Sequence, residues 1–238
     1  MKIKVPHIAT VFFFLTVAVM LLSWVGSIYE WEGVRSLLSP EGVRWGLRHT
    51  VDNYLLAPVL RVVIILYLGC GLVAYSGLGS SLLHFFSRRS TFTKKEKHAL
   101  SLALVIALCL ILLLLVITWG PWAILRNVSG ELSGSPFEAG LWYMLSIGIG
   151  VCALFYGFAA DTINTDRDVV KGMSWLFTRY GSYYVTLFFI VTFFSSLEYS
   201  RLFLWMGGTA DDFRLAYTVC CLLPFGGYLL SAFCKSAD

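Results

Sequence analysis

Ionisable residues inside apolar runs are the first candidates for chemistry, because each costs free energy to hold there. The 238-residue chain has three that stand out: Arg61, Glu198 and Arg201. Glu198 and Arg201 are three residues apart, so on a continuous helix they share a face and can pair. They lie about 24 Å along that helix from Ser182, close to its outer end, where a structural ion pair explains them as well as a binding role does. Arg61 sits about six residues, or ~9 Å, inside its run, within reach of the headgroups by snorkelling. A second pattern, Asn164, Asp166 and Asp168, has the alternation of a calcium loop. Val169 and Trp175 stand where such a loop needs glycine and glutamate, so the stretch reads as a helix start capped by Thr165 with Asp168 three residues on.

Enzyme chemistry has little support. His7, His49, His84 and His98 are scattered, and no phosphate-binding loop, nucleophile elbow or zinc-protease motif is present. The six cysteines, Cys70, Cys109, Cys152, Cys220, Cys221 and Cys234, form no metal-binding spacing and read as small packing residues. The expectation is a protein that is not an enzyme and needs no cofactor or metal. Asn127-Val128-Ser129 is formally a glycosylation sequon, a tripeptide common by chance.

The elements that hold these residues are membrane spans. With 58% apolar and 13% charged residues, the chain has too little polar surface to coat a soluble globule. The central stretch, Ser135 to Met173, holds an uncharged run from Ala139 to Ala160, about 33 Å of helix against a hydrocarbon core of about 30 Å. The same pattern recurs, giving an all-α polytopic protein, one transmembrane domain with six spans at about 8–27, 55–77, 99–119, 139–160, 181–205 and 215–233, plus short interfacial helices. The first run exceeds a signal-peptide core and reads as an anchor. Ser39-Pro40-Glu41 has the grammar of a helix start; Leu47, Val51 and Tyr54 after it fit a short amphipathic helix on the outer surface, with a plain connecting helix the favoured reading. Val169, Val170, Met173, Leu176 and Phe177 suggest another on the cytoplasmic surface. Trp119 and Trp122 read as an aromatic belt, with Pro121 ending the third span. Small-residue faces at Cys70/Ala74/Gly77 and Ser146/Gly150/Ala153/Gly157 offer close helix packing. Pro224 and Gly226-Gly227 break the sixth span.

Charge sets an orientation. The net charge of +4 sits in short loops between spans, which the positive-inside rule explains without nucleic acid. Arg88, Arg89, Lys94, Lys95 and Lys97 between spans two and three, with Lys2, Lys4, Arg167, Lys171, Arg179 and Lys235, place both termini in the cytoplasm. Asp211, Asp212 and Arg214 form an outer loop in this reading.

Beyond periodicity, the chain resembles the p-aminobenzoyl-glutamate transporter (AbgT) family. The run Leu37 to Trp45, then Ala57-Pro58 and Gly69 to Leu78, is similar to the family's amino-terminal signature. Lys94 to Leu115, Leu125-Arg126, Ser135-Pro136-Phe137, and Tyr156-Gly157 through Asp168 to Met173 resemble its middle region; Leu223-Pro224-Phe225 is similar to the Leu-Pro-Tyr of its last helix. The resemblance implies a multi-pass protein of the bacterial inner membrane, a homodimer in the bilayer, moving p-aminobenzoyl-glutamate or exporting sulfonamide-like antimetabolites. Thr192, Glu198 and Arg201 fall where the family has a glutamine and two asparagines, so with Arg61 they are the candidate substrate-binding residues. The chain departs from the family in length. Between Leu78 and Thr93, and between Trp205 and Leu215, there is no room for the family's re-entrant hairpins, and its Asp-Ala-Gly-Tyr motif is absent. Two readings follow: a shortened transporter, or a non-transporting membrane scaffold that works with a partner membrane subunit.

Overall fold

The computed structural model describes residues 7–87, 93–120, 124–127 and 130–235, with backbone alone at 86–87 and 225–235. Lys2, Lys4, Arg88, Arg89, Pro121, Trp122 and the Val128-Ser129 of the sequon lie outside the described residues. The described residues are all-helical, in the order α1 (Ile8–Ile28), α2 (Pro40–Leu55), α3 (Pro58–Ser76), α4 (Leu78–Ser87), α5 (Lys94–Trp119), α6 (Pro136–Ala159), α7 (Asp166–Arg179), α8 (Gly181–Ser200), α9 (Leu202–Trp205) and α10 (Ala210–Lys235). Four segments are long and apolar enough to cross a membrane: Ile8–Ile28, Pro40–Ser76, Lys94–Trp119 and Pro136–Ala159; a fifth is added if α7 and α8 count as one span. The chain is therefore a helical membrane protein, with four to five such segments among the described residues.

Local chemistry explains the helix starts. Ser39 accepts from the Gly42 N–H at 3.0 Å with Pro40 at the first position, and Ser135 accepts from the Glu138 N–H while Glu138 takes the Gly134 N–H at 2.7 Å. Thr165 and Asp168 cap α7 as their spacing suggests: the Asp168 carboxylate takes the Thr165 hydroxyl at 2.8 Å and the Thr165 N–H at 3.1 Å. The Thr165 hydroxyl, followed by the Asn164 N–H, holds that carboxyl below its usual range. Thr93 and Glu96 form a capping box on α5. The Thr93 N–H and then its hydroxyl keep the Glu96 carboxyl low as well. A depressed carboxyl adds stability above its ordinary value of 4.5 and loses it as pH falls through the lowered folded value. Amide protection at Glu96 and Lys97, corrected for intrinsic exchange rates, is expected to fall across that acidic window. Glu96→Gln, which caps without titrating, is expected to show no such step.

By contacts the chain forms two compact units, Met1–Arg61 with Tyr180–Asp238, and Val62–Arg179. In the first, α8 is the centre, packed by α1, α2 and α10. Tyr183, Leu187, Ile190 and Val191 are buried along it, and Phe189 and Phe193 meet Phe13 and Phe12 edge to face. α10 runs antiparallel to α8, because Phe213 packs on Phe194 at 5.6 Å while the Tyr183 hydroxyl donates to the Cys221 carbonyl at 3.1 Å. The turn after α1 folds back onto the end of α8. Ser23 takes the Leu37 N–H at 3.1 Å, the Ser200 carbonyl takes the Arg35 N–H, and Trp31 stacks on Trp205 at 4.0 Å.

α2 packs on α8. It runs antiparallel to α8, with Trp45 stacked on Tyr199 at 4.4 Å and the Tyr54 hydroxyl donating to the Tyr184 carbonyl at 3.1 Å. The contacts to α8 come from Trp45 and Tyr54; Leu47 and Val51, which suggested an amphipathic stripe, are 82% and 59% exposed. Large aromatic rings bury more area than those aliphatic side chains, so they choose the face.

In the second unit, residues 62–76 of α3 lie against α6 and α7. Ser146 accepts the Gly69 N–H at 3.1 Å and donates to the Ile65 carbonyl. Ser146, Gly150, Ala153 and Gly157 are all buried, as their spacing suggests. On α3 the close face is Gly69, Leu72 and Ser76, whereas Ala74 of the expected Cys70/Ala74/Gly77 face is exposed. α7 runs antiparallel to α3, with Gly172 against Gly71 and Phe177 against Tyr67 at 5.4 Å. Paired glycines let the two backbones approach. Residues 78–87, expected to begin a polar loop, form α4, with Leu78 buried and the Ser81 hydroxyl bonded to Tyr156 at 2.6 Å. Lys95 pairs with Asp161 at 3.0 Å, an exposed pair of small energetic weight.

Candidate functional site

The fifth run is not one helix. α8 ends at Ser200, Arg201 takes a left-handed conformation (φ 56, ψ 15) with its N–H on the Glu198 carbonyl at 3.2 Å, and α9 starts at Leu202. Glycine normally fills that position, since a Cβ there costs about 1 kcal/mol. A non-glycine residue held so marks a place where side-chain identity matters.

The break opens a cleft of about 320 Å³ lined by Leu197, Glu198, Arg201, Phe203, Leu204, Ala210, Phe213, Arg214 and Tyr217. Two arginines and one glutamate thus line the same cleft as three aromatic residues. Glu198 and Arg201 do not form the expected ion pair. The ion pairs among the described residues are Lys95 with Asp161 and Lys171 with Asp168. The helical register that would pair Glu198 with Arg201 is lost at the break, so both charged ends remain open to a ligand. Phe203 packs edge on against Phe213 at 5.5 Å, and Tyr217 lies against Phe194 at 5.2 Å, which fixes two of the aromatic walls.

The other two sequence candidates stand apart. Thr192 is half-buried, its hydroxyl donating to the Phe188 carbonyl at 2.8 Å; it lies six residues, about 9 Å, back along α8 from Glu198. Arg61 is exposed and its Nη2 donates to the Leu56 carbonyl at 3.2 Å. It does not gather with Glu198 and Arg201. Tyr54, seven residues before it, already packs at the Tyr184 end of α8, and α2 leads away from the cleft.

Arg214 and Tyr217 were missed by the sequence reading, which left Arg214 in an outer loop. The loop is shorter than expected: Thr209 accepts the Asp212 N–H at 3.2 Å and donates to its carboxylate at 2.6 Å, so α10 starts at Ala210. Asp211 and Asp212 fit that first turn, where acidic groups face the positive end of the helix. The signal was the spacing of Arg214, Tyr217 and Cys221 at three and four residues, one helix face turned toward α8.

Comparison with known proteins agrees with this architecture. Two solved structures are similar over 84% of the chain at a TM-score of 0.74. The YdaH transporter of Alcanivorax borkumensis, described as having an unusual topology, is 16% identical and is matched over 72% of its chain. MtrF of Neisseria gonorrhoeae, described as illuminating a class of antimetabolite efflux pumps, is 17% identical and is matched over 70%. At these identities the likeness concerns the fold. No curated protein matches the chain by sequence. The model of the AbgT putative transporter family matches residues 85–213, more than half the length, and the chain belongs to that family.

Proposed function

We propose that the chain is the membrane-embedded frame of a carrier for anionic aromatic solutes of the p-aminobenzoyl-glutamate or sulfonamide-like kind, held in the cleft at the break of α8. The observation that carries this reading is that Arg201 and Arg214, which make no ion pair among the described residues, line one cleft with Phe203, Phe213 and Tyr217. Guanidinium groups bind carboxylates in a two-pronged geometry, and flat rings accept a benzoyl group between them. In this reading α8 and α10 complete six crossings of a bacterial inner membrane with both termini in the cytoplasm. Reporter fusions are expected to be cytoplasmic near Thr93 and Asp238 and periplasmic near Gly134; the reverse pattern contradicts the topology.

Translocation requires more than this cleft. A carrier needs a site near the bilayer midplane that faces each side in turn, whereas Glu198 and Arg201 lie at one end of α8. A second copy in a homodimer, or a partner membrane subunit, supplies the missing walls. Purified chain in liposomes under a proton or sodium gradient is expected to take up no more labelled p-aminobenzoyl-glutamate than empty vesicles. Saturable, gradient-driven uptake lost in Arg201→Ala would show instead a complete carrier. Absence of both uptake and binding would leave the scaffold reading.

A further inference from the structure

In the second unit α5 and α6 leave an apolar groove between them. One part, about 470 Å³, runs from Leu82 and Leu100 to Leu114, and a second, about 210 Å³, continues to Trp119 and Phe137. The parts share Ile111, Leu114, Met144 and Leu145, so they form one channel. From Leu100 to Trp119 it follows α5 for about 28 Å, close to the hydrocarbon thickness of a bilayer. None of its lining residues is charged. At the Trp119 end the Arg126 guanidinium lies 5.8 Å from the Trp119 ring. Its Nε is buried with no hydrogen-bond partner and, among the described residues, Arg126 makes no ion pair. The nearby Glu138 carboxylate is engaged by the Gly134 N–H.

We infer that this groove binds a phospholipid, with one acyl chain along α5 and α6 and the phosphate on Arg126. The half-buried guanidinium has no counter-ion among the described residues, and a phosphate supplies one through charge-assisted bonds to its terminal N–H groups. Tryptophan at that level matches the belt where headgroups begin. A single methylene chain is slender enough to lie in the groove, and the Arg126 cation at its end matches a headgroup phosphate, which the apolar face of a second helix does not supply. The long channel thus fits the lipid tail and the cation fits its headgroup.

Native mass spectrometry of delipidated protein tests this, with phosphatidylglycerol, phosphatidylethanolamine and diacylglycerol of the same acyl chains added in turn. One phospholipid is expected to be retained per chain, with diacylglycerol about tenfold weaker, the factor for one charge-assisted hydrogen bond. Equal retention of both phospholipids assigns the contact to the phosphate; a preference for phosphatidylglycerol adds net headgroup charge to it. Arg126→Gln is expected to lower phospholipid retention about tenfold, to the diacylglycerol level. Gly148 lines the groove, and a Cβ there meets nothing within 4 Å. Gly148→Phe is therefore expected to fold, fill the groove and lose all three lipids, with Gly148→Ala as the folded control. Retention unchanged in both Arg126→Gln and Gly148→Phe would overturn the proposal. So would a Gly148→Phe protein that keeps its lipid but falls to half the assembled mass, which would give the groove to a second copy.

Discussion

Gly69→Val is expected to destabilise the protein by about 3 kcal/mol or more, the upper range for overpacking a tight contact. A Cβ at Gly69 would overlap the Ser146 backbone carbonyl oxygen and lie 2.7 Å from the Ser146 hydroxyl. Backbone cannot rotate away as a side-chain tip can, so α3 must move off α6. That movement also breaks the Gly69–Ser146–Ile65 hydrogen bonds, in a membrane interior where water is not available to replace them. Ser146→Ala removes those bonds without the clash and is expected to cost about 1 kcal/mol. Gly148→Ala, with open space at its Cβ, is expected to be neutral or to gain up to about 1 kcal/mol of helix propensity. Unfolding by graded detergent denaturation orders the three, and a Gly69→Val protein as stable as Gly148→Ala would contradict the packing of α3 on α6.

Spans were legible because a 20-residue apolar run is a strong signal in any context. The helix α6 and its small face from Ser146 to Gly157 emerge in the structure as the sequence suggests, while its start at Pro136, capped by Ser135, lies earlier than the apolar run from Ala139. Partner faces were not legible in the same way. The sequence offered Cys70/Ala74/Gly77 on α3, yet Gly69 makes the contact, because one glycine facing a serine that bonds backbone outweighs a stripe of merely small residues. α2 and α7 have amphipathic patterns that do not say which side chains meet a neighbour. Tertiary packing of Trp45 on Tyr199 and of Gly172 on Gly71 decides that. Half of the cleft was visible, since charged Glu198 and Arg201 stand out in an apolar run. Its other half was hidden, because Arg214 follows two aspartates that read as loop and the helix break at Arg201 carries no glycine.

Replacing Arg201 separates its two roles. Arg201→Gly removes a guanidinium and relieves the left-handed strain, so the fold is expected to keep or gain about 1 kcal/mol. Binding of an anionic aromatic solute is expected to weaken ten- to a hundredfold, the range for losing a charged hydrogen-bond partner. Arg201→Ala is expected to weaken binding equally without that gain in stability, as it keeps a Cβ at φ 56. Arg214→Ala is expected to reduce binding by a similar factor, since its charge faces the same cleft. If Arg201→Gly were the less stable of the two Arg201 variants, the αL cap would not be what ends α8.

The most direct measurement is calorimetric titration of purified protein in detergent with p-aminobenzoyl-glutamate. The account predicts saturable binding to the wild-type chain that Arg61→Ala and Thr192→Ala leave unchanged, because neither side chain lines the cleft, and that the double variant Arg201→Gly with Arg214→Ala abolishes. Binding lost in Arg61→Ala but intact in the double variant would place the solute elsewhere and contradict the assignment of the α8 break.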